Sequence, residues 1–285
     1  MNPIIKAAFW MIGSIISFSV MAVAGREVAS ELDTFELMLY RSLFGLVVIT
    51  GYGAARGLLP TIRTRQIGLH LGRNIFHFTG QNLWFYAITL IPLAHLFALE
   101  FTTPIWVTLF AALFIGEAMT RARLVAAGLG FIGILIIARP GVVPLEAGHL
   151  FALLSAVCFG SMIVMTKKLS RQDSVWTILF WMTLMQSVMG IGFAGYDADL
   201  ALPTGINILW SLLIGICGLT AHLSITMALS LAPASVVSPI DFLRLPVIAV
   251  VGMLLYHEQL EVAVFVGAGL ILAGNFYNIR SEARQ

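Results

Sequence analysis

Long apolar runs, separated by short polar or Pro/Gly-containing segments, fill almost the entire chain. Most are close to the roughly 20 residues that a helix needs to cross a bilayer. The pattern predicts ten helices, near residues 7–25, 35–54, 70–90, 94–115, 124–139, 148–166, 175–196, 207–231, 235–256 and 261–279. The short segments between them leave no room for a soluble domain, so we expect an all-α polytopic membrane protein.

Composition and charge support this prediction. Of the 285 residues, 59% are hydrophobic and 11% charged, whereas soluble domains average roughly 25% charged residues. The net charge of +2 is spread over separate loops, so we expect no nucleic-acid partner. The two cysteines, Cys158 and Cys217, lie inside apolar runs and indicate neither a disulfide framework nor a thiolate metal site.

The distribution of Lys and Arg in short loops predicts the orientation in the membrane. With a cytoplasmic N-terminus, the outer loops hold only Arg26 and Arg139. The inner loops and ends then hold Lys6, Arg56, Arg63, Arg65, Arg121, Arg123, Lys167, Lys168, Arg171, Arg280 and Arg284. We therefore expect a multi-pass protein of the bacterial inner membrane with both termini in the cytoplasm.

Similar residues recur along the chain at a spacing of 141. The rarer matches are Pro92 with Pro233, Glu100 with Asp241, and Glu117 with Glu258. They divide the chain into two repeats, 1–146 and 147–285, with five predicted helices each. An odd number of crossings makes the second repeat enter the membrane from the opposite side, and inverted repeats of this kind are typical of secondary transporters.

Four acidic residues near predicted helix ends have structural interpretations. Asp33 followed by Glu36 has the spacing of a capping box at the start of the second helix. Glu117 and Glu258 stand beside short turns, where a carboxylate can cap the N-terminus of the next helix.

Charged residues inside the predicted spans are the candidates for function, since an ion in hydrocarbon costs a few kcal/mol. Asp241 and Arg244 are one helical turn apart, and Glu100 is the repeat equivalent of Asp241. At 1.5 Å per residue, Glu100 would lie about 9 Å below the outer end of its helix, and Asp241 about as far from the inner end of its own. The two acids are therefore predicted on opposite sides of the midplane.

This count of depths predicts two clusters. Arg41 and His95 would lie near Glu100 in an outer cluster. The inner cluster would contain Asp241, Arg244, Arg73, His77 and His222. The alternative interpretation is that the pairs Asp241–Arg244 and Arg41–Glu100 only hold helices together.

The third predicted helix carries a polar stripe that ends in an aromatic residue. Arg73, His77 and Gln81 follow each other at intervals of four and precede Trp84, so one face of this helix avoids lipid. The aromatic residues Tyr40, Phe97, Phe101, Trp106 and Phe242 fall at similar depths. The candidate substrate-binding or coupling residues are Glu100, Asp241, Arg244, Arg41, Arg73, His77, Gln81, Trp84, Phe101, Trp106 and Phe242, and no metal or cofactor is expected.

Several of these features together resemble the EamA family of the drug/metabolite transporter superfamily. They are the two five-helix halves, the Pro-bearing turns before the fourth and ninth helices, and the pairs Gly116-Glu117 and His257-Glu258 at their ends. The resemblance covers essentially the whole chain and implies a transporter, with relatives associated with amino acids, nucleotide-sugar-like solutes, S-adenosylmethionine, riboflavin and drugs. His257 replaces the glycine of the first half, which indicates a different turn there.

The expected function is therefore secondary transport of a small organic solute by alternating access, by a monomer or a homodimer. Arginines and aromatics suit a planar heteroaromatic solute, and the chain resembles the bacterial riboflavin and S-adenosylmethionine carriers of the family. We expect uptake of riboflavin or a similar vitamin or nucleoside-like solute. The alternatives are export of amino acids, metabolites or drugs, and S-adenosylmethionine transport.

The sequence leaves the mode of coupling open and disfavours an enzyme or a channel. Proton coupling through Glu100, Asp241 or a histidine, exchange, and facilitated diffusion all fit the sequence. An intramembrane enzyme is disfavoured because the chain contains no His-Glu-x-x-His or Gly-x-Ser-x-Gly motif. A channel is disfavoured because pores are usually lined by rings of equivalent groups, whereas Glu100 and Asp241 differ.

Overall fold

The computed structural model describes residues 3–115, 120–139, 146–196, 200–231, 240–241 and 243–282. This part of the chain is all helical and contains no β-strand. Its helices are α1 Pro3–Val28, α2 Thr34–Ala55, α3 Ile67–Leu90, α4 Leu93–Glu100, α5 Thr103–Ile115, α6 Arg121–Ala138, α7 Ala147–Leu169, α8 Val175–Ala194, α9 Ile206–Leu231, α10 Arg244–Tyr256 and α11 Val262–Glu282. The predicted helix bounds agree with these to within four residues, apart from two interruptions described below and the predicted stretch 235–239, which lies outside the described residues.

Six described segments are long and apolar enough to cross a bilayer. They are Ile5–Val28, Thr34–Ala55, Leu93–Phe110, Ala147–Leu169, Val175–Ala194 and Ile206–Ile225, and shorter apolar helices cover Arg244–Tyr256 and Val262–Asn278. Helix α3 is absent from this set although it has 24 residues. The polar side chains on its buried face, His70, Arg73, Asn74, His77, Gln81 and Asn82, lower its hydropathy.

Helices of the first half pack mainly against helices of the second half. The contacting pairs are α1 with α9, α2 with α8, α3 with α7, α4 with α10 and α6 with α11. The spacing of 141 converts α1 into α7 and α3 into α9, so the α1–α9 contact and the α3–α7 contact are equivalent. The set of pairs is therefore what a pseudo-two-fold axis between the halves would produce.

Close helix contacts repeat in the same way. A Cβ atom added to Gly133 of α6 would lie 2.5 Å from the carbonyl oxygen of Gly267 in α11, and one added to Gly274 would lie 3.0 Å from that of Ala126. Gly274 is the repeat equivalent of Gly133, and Gly267 is that of Ala126. Small residues permit this close approach of helix backbones.

Polar contacts at opposite ends of the molecule obey the same symmetry. Gln66 Nε2 donates to Gln172 Oε1 over 2.6 Å at one end. At the other end, Asn207 Nδ2 donates to Glu31 Oε2. Asn207 is the repeat equivalent of Gln66, and Gln172 is that of Glu31.

The fourth predicted helix, 94–115, is not continuous. Helix α4 ends at Glu100 and α5 begins at Thr103, because Pro104 has no N–H and its ring would clash with the carbonyl of Glu100. Thr102 N donates to Leu99 O over 3.1 Å, and Thr103 Oγ1 donates to Glu100 O over 2.6 Å. The backbone carbonyls of Leu99 and Glu100 therefore have hydrogen-bond donors within the interruption itself.

The second half contains an equivalent interruption. Leu243 N donates to Ile240 O over 3.1 Å, which is the repeat equivalent of the Thr102–Leu99 bond. Helix α10 begins at Arg244, the repeat equivalent of Thr103, and Pro246 follows in its first turn. Each half thus places an acidic residue immediately before a break in a helix.

Candidate functional site

Three charged side chains meet where the two broken helices pack together. Arg244 is 2% exposed. Its Nη2 atom lies 2.9 Å from Glu100 Oε1 and 3.3 Å from Asp241 Oδ2. We call Arg244, Glu100 and Asp241 the central cluster. With both carboxylates ionised, its net charge is −1.

The predicted separation of Glu100 and Asp241 across the midplane is therefore wrong. Depths counted along unbroken helices ignore both the breaks and the length of an arginine side chain. Because each acid precedes its break and Arg244 immediately follows one, a single guanidinium reaches both carboxylates. The expected pair Arg41–Glu100 is not formed.

Aromatic rings surround the guanidinium of Arg244. Its Cζ atom lies 4.8 Å from the ring centroids of both Phe18 and Phe97, and 5.5 Å from that of Phe101. Trp84 Nε1 donates to Glu100 Oε2 over 2.8 Å. Cation–π contacts of this kind stabilise a buried cation, so the candidates Trp84 and Phe101 both belong to this site.

Phe18 is not among the predicted residues, and Phe97 is predicted only as an aromatic residue at a similar depth. Phe97 precedes Glu100 by one helical turn, which is a signal that could have identified it. Phe18 comes from α1, which has no charged residue near that depth, so no local pattern pointed to it.

Some polar atoms in this region have no hydrogen-bond partner among the described residues. They include Asp241 Oδ1, Arg244 Nε and Gln81 Oε1, all of them buried. Gln81 lies one turn before Trp84 on α3. A buried polar atom without a partner is costly, and these three are available to hydrogen-bond a solute.

A second group of charged and polar side chains joins α2, α3 and α9. We call Arg41, Arg73, His77 and His222 the cationic cluster. Arg73 Nη1 donates to His77 Nδ1 over 3.1 Å, and the rings of His77 and His222 are 4.9 Å apart. An arginine can only donate, so His77 Nδ1 is an acceptor and its ring is neutral.

Arg41 belongs to this cluster and not to the predicted outer cluster. Its side chain is buried and packs on Gly218 of α9, where an added Cβ would lie 2.5 Å from Arg41 Nε. The predicted inner cluster is correct for Arg73, His77 and His222, which do lie together. It is wrong for Asp241 and Arg244, which contact Glu100 instead.

His95 also departs from the expected outer cluster. Its Nδ1 atom lies 3.3 Å from His149 Nε2, and its Nε2 atom lies 3.6 Å from Glu261 Oε1. Glu261 also forms an ion pair with Arg139. These contacts hold adjacent ends of α4, α6 and α7 together, and His95 does not contact Glu100.

The aromatic candidate Trp106 is not placed at the central cluster. Trp106 Nε1 donates to Thr102 Oγ1 over 3.3 Å, and its ring stacks on Phe110. Trp106 thus supports the break between α4 and α5. The remaining candidate, Phe242, lies outside the described residues.

The acids interpreted as caps have structural contacts. Asp33 and Glu36 form the predicted capping box. Glu258 accepts from Leu93 N at 3.0 and 3.1 Å and pairs with Arg26, so it caps α4 of the other half and not the next helix. His257 before it has a left-handed φ of 55°, and both Gly116 and Glu117 lie outside the described residues.

A helical membrane protein whose two halves enclose buried charged groups has the architecture of a transporter. The sequence profile of the EamA-like transporter family matches residues 5–139 and again residues 146–280. The chain therefore belongs to the EamA-like transporter family, and it is a membrane transporter of that family.

Individual relatives extend over almost the whole chain. A riboflavin transporter of Rhizobium johnstonii is 29% identical over 99% of this chain and 93% of that protein. An S-adenosylmethionine uptake transporter of Rickettsia felis is 23% identical over 96% of this chain and 92% of its own length. A solved crystal structure with 18% identity superposes with a TM-score of 0.69 over 98% of both chains, which shows the shared fold.

Proposed function

We propose that this chain is a secondary transporter that moves a small organic solute across the bacterial inner membrane by alternating access. In this proposal the ten predicted helices form two inverted five-helix repeats, and both termini are cytoplasmic. The equivalent interhelical contacts at a spacing of 141 support the repeat. The bias of Lys and Arg toward one side supports the orientation.

The observation that carries this proposal is the central cluster between two interrupted helices. Broken helices at a repeat interface are where secondary transporters commonly bind solute. A buried cation shared by two carboxylates is also costly to maintain, and a scaffold needing only packing could use apolar residues. A rocking movement of one half against the other would change the distances within this cluster, since Glu100 and Arg244 come from different halves.

For the solute we propose riboflavin or a similar planar heteroaromatic compound. The rings of Phe18, Phe97 and Trp84 offer apolar faces, and the unpartnered atoms of Asp241 and Gln81 suit the polar edge of a heteroaromatic ring. The riboflavin transporter among the relatives supports the same choice. Phe101 contributes a further face beside Arg244.

We assign coupling to the two carboxylates. Glu100 or Asp241 would take up a proton during the cycle, and its neutralisation would free Arg244 from one of its partners. Transport would then depend on the proton gradient.

The test is uptake of radiolabelled riboflavin into cells that produce this chain and have no riboflavin uptake of their own. We expect saturable uptake that falls with Glu100→Gln and Asp241→Asn and is sensitive to a protonophore. Glu146→Gln, at an exposed acid that makes no side-chain cap, is the matched control. Labelled S-adenosylmethionine in parallel tests the second solute.

Two outcomes would contradict the proposal in different ways. If membrane vesicles preloaded with the solute release it while cells take none up, the direction is export. If Glu100→Gln lowers only the protein yield and leaves uptake per molecule unchanged, the central cluster has a structural role alone.

A further inference from the structure

Two arginines of the cationic cluster are buried without an acidic partner. Arg41 is 6% exposed and Arg73 is 3% exposed. Within the described part of the chain, neither forms an ion pair with an Asp or Glu. A guanidinium stays protonated in proteins. Arg41 packs on Gly218, one turn before His222 on α9, and the ring of His222 lies 4.9 Å from that of His77, to which Arg73 donates. Two buried and uncompensated positive charges are costly.

The contacts of both arginines are with neutral groups. Arg73 donates to Thr166 Oγ1 at 3.2 Å, to Asn74 Oδ1 at 2.8 Å and to His77. The hydrogen bond described for Arg41 goes from Nη1 to the sulfur of Met38 at 3.6 Å, and a thioether is a weak acceptor. Arg41 therefore retains donor capacity that an anion could use.

The cationic cluster differs from Arg244 in the number of carboxylates that neutralise its positive charge. Arg244 has two carboxylates for one positive charge, whereas Arg41 and Arg73 have none for two. The central cluster carries a net charge of −1 and the arginines of the cationic cluster carry +2. The missing negative charge is thus expected beside Arg41 and Arg73.

The aromatic side chain of Phe18 connects the two clusters. The ring of Phe18 lies 4.8 Å from the guanidinium of Arg244 and 6.0 Å from the ring of His222. His222 in turn stands 4.9 Å from His77. A solute with a ring beside Phe18 could therefore extend toward the arginines.

We propose that Arg41 and Arg73 bind an oxyanion, a phosphate or carboxylate group carried by the transported solute. Guanidinium groups match both oxyanions because they donate two parallel hydrogen bonds. This inference rests on the proposed function and narrows it, since an anionic derivative such as riboflavin 5′-phosphate would bind better than neutral riboflavin. A free inorganic anion is the other source of the same chemistry.

The experiment uses the purified full chain in detergent. Binding of riboflavin and of riboflavin 5′-phosphate is followed by flavin fluorescence, and inorganic phosphate is tested by its effect on the melting temperature and as a competitor. The variants are Arg41→Gln and Arg73→Gln. Arg65→Gln, which removes the same charge from an exposed loop position, is the control.

We expect the wild type to bind riboflavin 5′-phosphate roughly ten- to a hundredfold more tightly than riboflavin, as for hydrogen bonds to charged groups. This preference should disappear in Arg41→Gln and persist in Arg65→Gln. Phosphate should raise the melting temperature of the wild type and compete with the phosphorylated flavin. The ligand-free Arg41→Gln protein should melt no lower than the wild type, because the substitution removes an uncompensated charge.

The outcomes separate this inference from the proposed function. Equal binding of both flavins with no effect of phosphate would overturn the anion site and leave flavin transport intact. Stabilisation by phosphate that depends on Arg41, without binding of either flavin, would support the site and reject riboflavin as the solute. Simultaneous binding of phosphate and riboflavin 5′-phosphate without competition would overturn the assignment to the solute and give the site to a free anion.

Discussion

The two broken helices share their backbone design and differ in charge. In both halves an acid precedes the break, Glu100 in the first and Asp241 in the second, and an i to i−3 hydrogen bond closes the turn. The helix then restarts at equivalent positions, which are Thr103 in one half and Arg244 in the other. The repeated scaffold thus supplies two acids, and one asymmetric substitution supplies the single cation that they share.

Away from the site, too, the two halves share backbone structure and differ in the side chains that they carry. Asp33 and Ser174 are repeat equivalents, and each caps the helix that follows it. At the loops, Glu31 accepts from Asn207 where the equivalent Gln172 accepts from Gln66. At these two pairs the hydrogen-bond geometry is retained, while the charged residue occurs in the first half only.

The largest effect is expected from replacing Arg244 by threonine, the residue at the equivalent position of the first half. Arg244→Thr leaves two neighbouring, partly buried carboxylates without a cation, which should destabilise the protein by about 3–5 kcal/mol. The double variant Arg244→Thr with Thr103→Arg places the guanidinium at the equivalent position of the first half. Because the breaks are equivalent, we expect it to regain part of the loss.

Melting in detergent and riboflavin uptake measure this prediction together. Thr103→Arg alone is the control for the bulk of the new side chain. A double variant that melts below Arg244→Thr would show that the two positions are not interchangeable. An Arg244→Thr protein as stable as the wild type would show that the acids do not need their cation.

The two acids of the central cluster should differ in their effect on transport. Glu100 binds Arg244 at 2.9 Å and also accepts from Trp84 at 2.8 Å, whereas Asp241 binds Arg244 at 3.3 Å. With hydrogen bonds to charged groups worth roughly 1.5–3 kcal/mol, Glu100→Gln should lower kcat/KM for uptake by about tenfold or more. Asp241→Asn should lower it less, with surface expression as the normalisation. An equal or larger effect of Asp241→Asn would contradict the geometry.

The sequence predicted most of the fold because its signals are local or periodic. Apolar runs located the helices, the spacing of 141 indicated the two halves, and Asp33 with Glu36 predicted a helix start. The residues of the site were largely recognisable as ions in apolar runs. Their partners were not, because the apolar pattern runs through Pro104 and does not mark the break that this residue causes.

Tertiary proximity explains the other differences. The depth of Arg41 in α2 equals that expected for Glu100, but depth says nothing about direction around the helix axis. Gly218 on α9 leaves room for the guanidinium of Arg41. Contacts of this kind depend on which helices become neighbours, and that information is absent from the pattern of either helix.

A smaller effect is expected from substitutions at the equivalent glycines where α6 and α11 pack together. Gly133→Ala would bring a methyl group 2.5 Å from the carbonyl oxygen of Gly267, and overpacking of this kind typically costs about 1–3 kcal/mol. The equivalent Gly274→Ala meets its nearest backbone atom at 3.0 Å and should cost less. Melting temperatures in detergent would give the order of the two.

Gly128 and Gly269 provide matched controls on the same two helices. Neither has any other atom within 4 Å of an added Cβ, and the two are repeat equivalents. Alanine at either position should be neutral or stabilise its helix by up to about 1 kcal/mol. Loss of stability in both controls would show that the space beside these glycines is not open.

The smallest effect concerns the two equivalent loop contacts, of which Glu31–Asn207 includes a charged residue and Gln66–Gln172 does not. Hydrogen bonds from Thr204 and Asn207 lower the pKa of Glu31 below its ordinary value of 4.5. The ionised carboxylate therefore stabilises the folded state above that pH, and the contribution is lost as the pH falls through the lowered pKa. The difference in melting temperature between the wild type and Glu31→Gln should be present at pH 7 and shrink below about pH 4.5. For the equivalent Gln172→Ala the difference in melting temperature from the wild type should not depend on pH, because both partners of this contact are neutral. A pH dependence there would mean that the Gln66–Gln172 contact is also coupled to a titrating group.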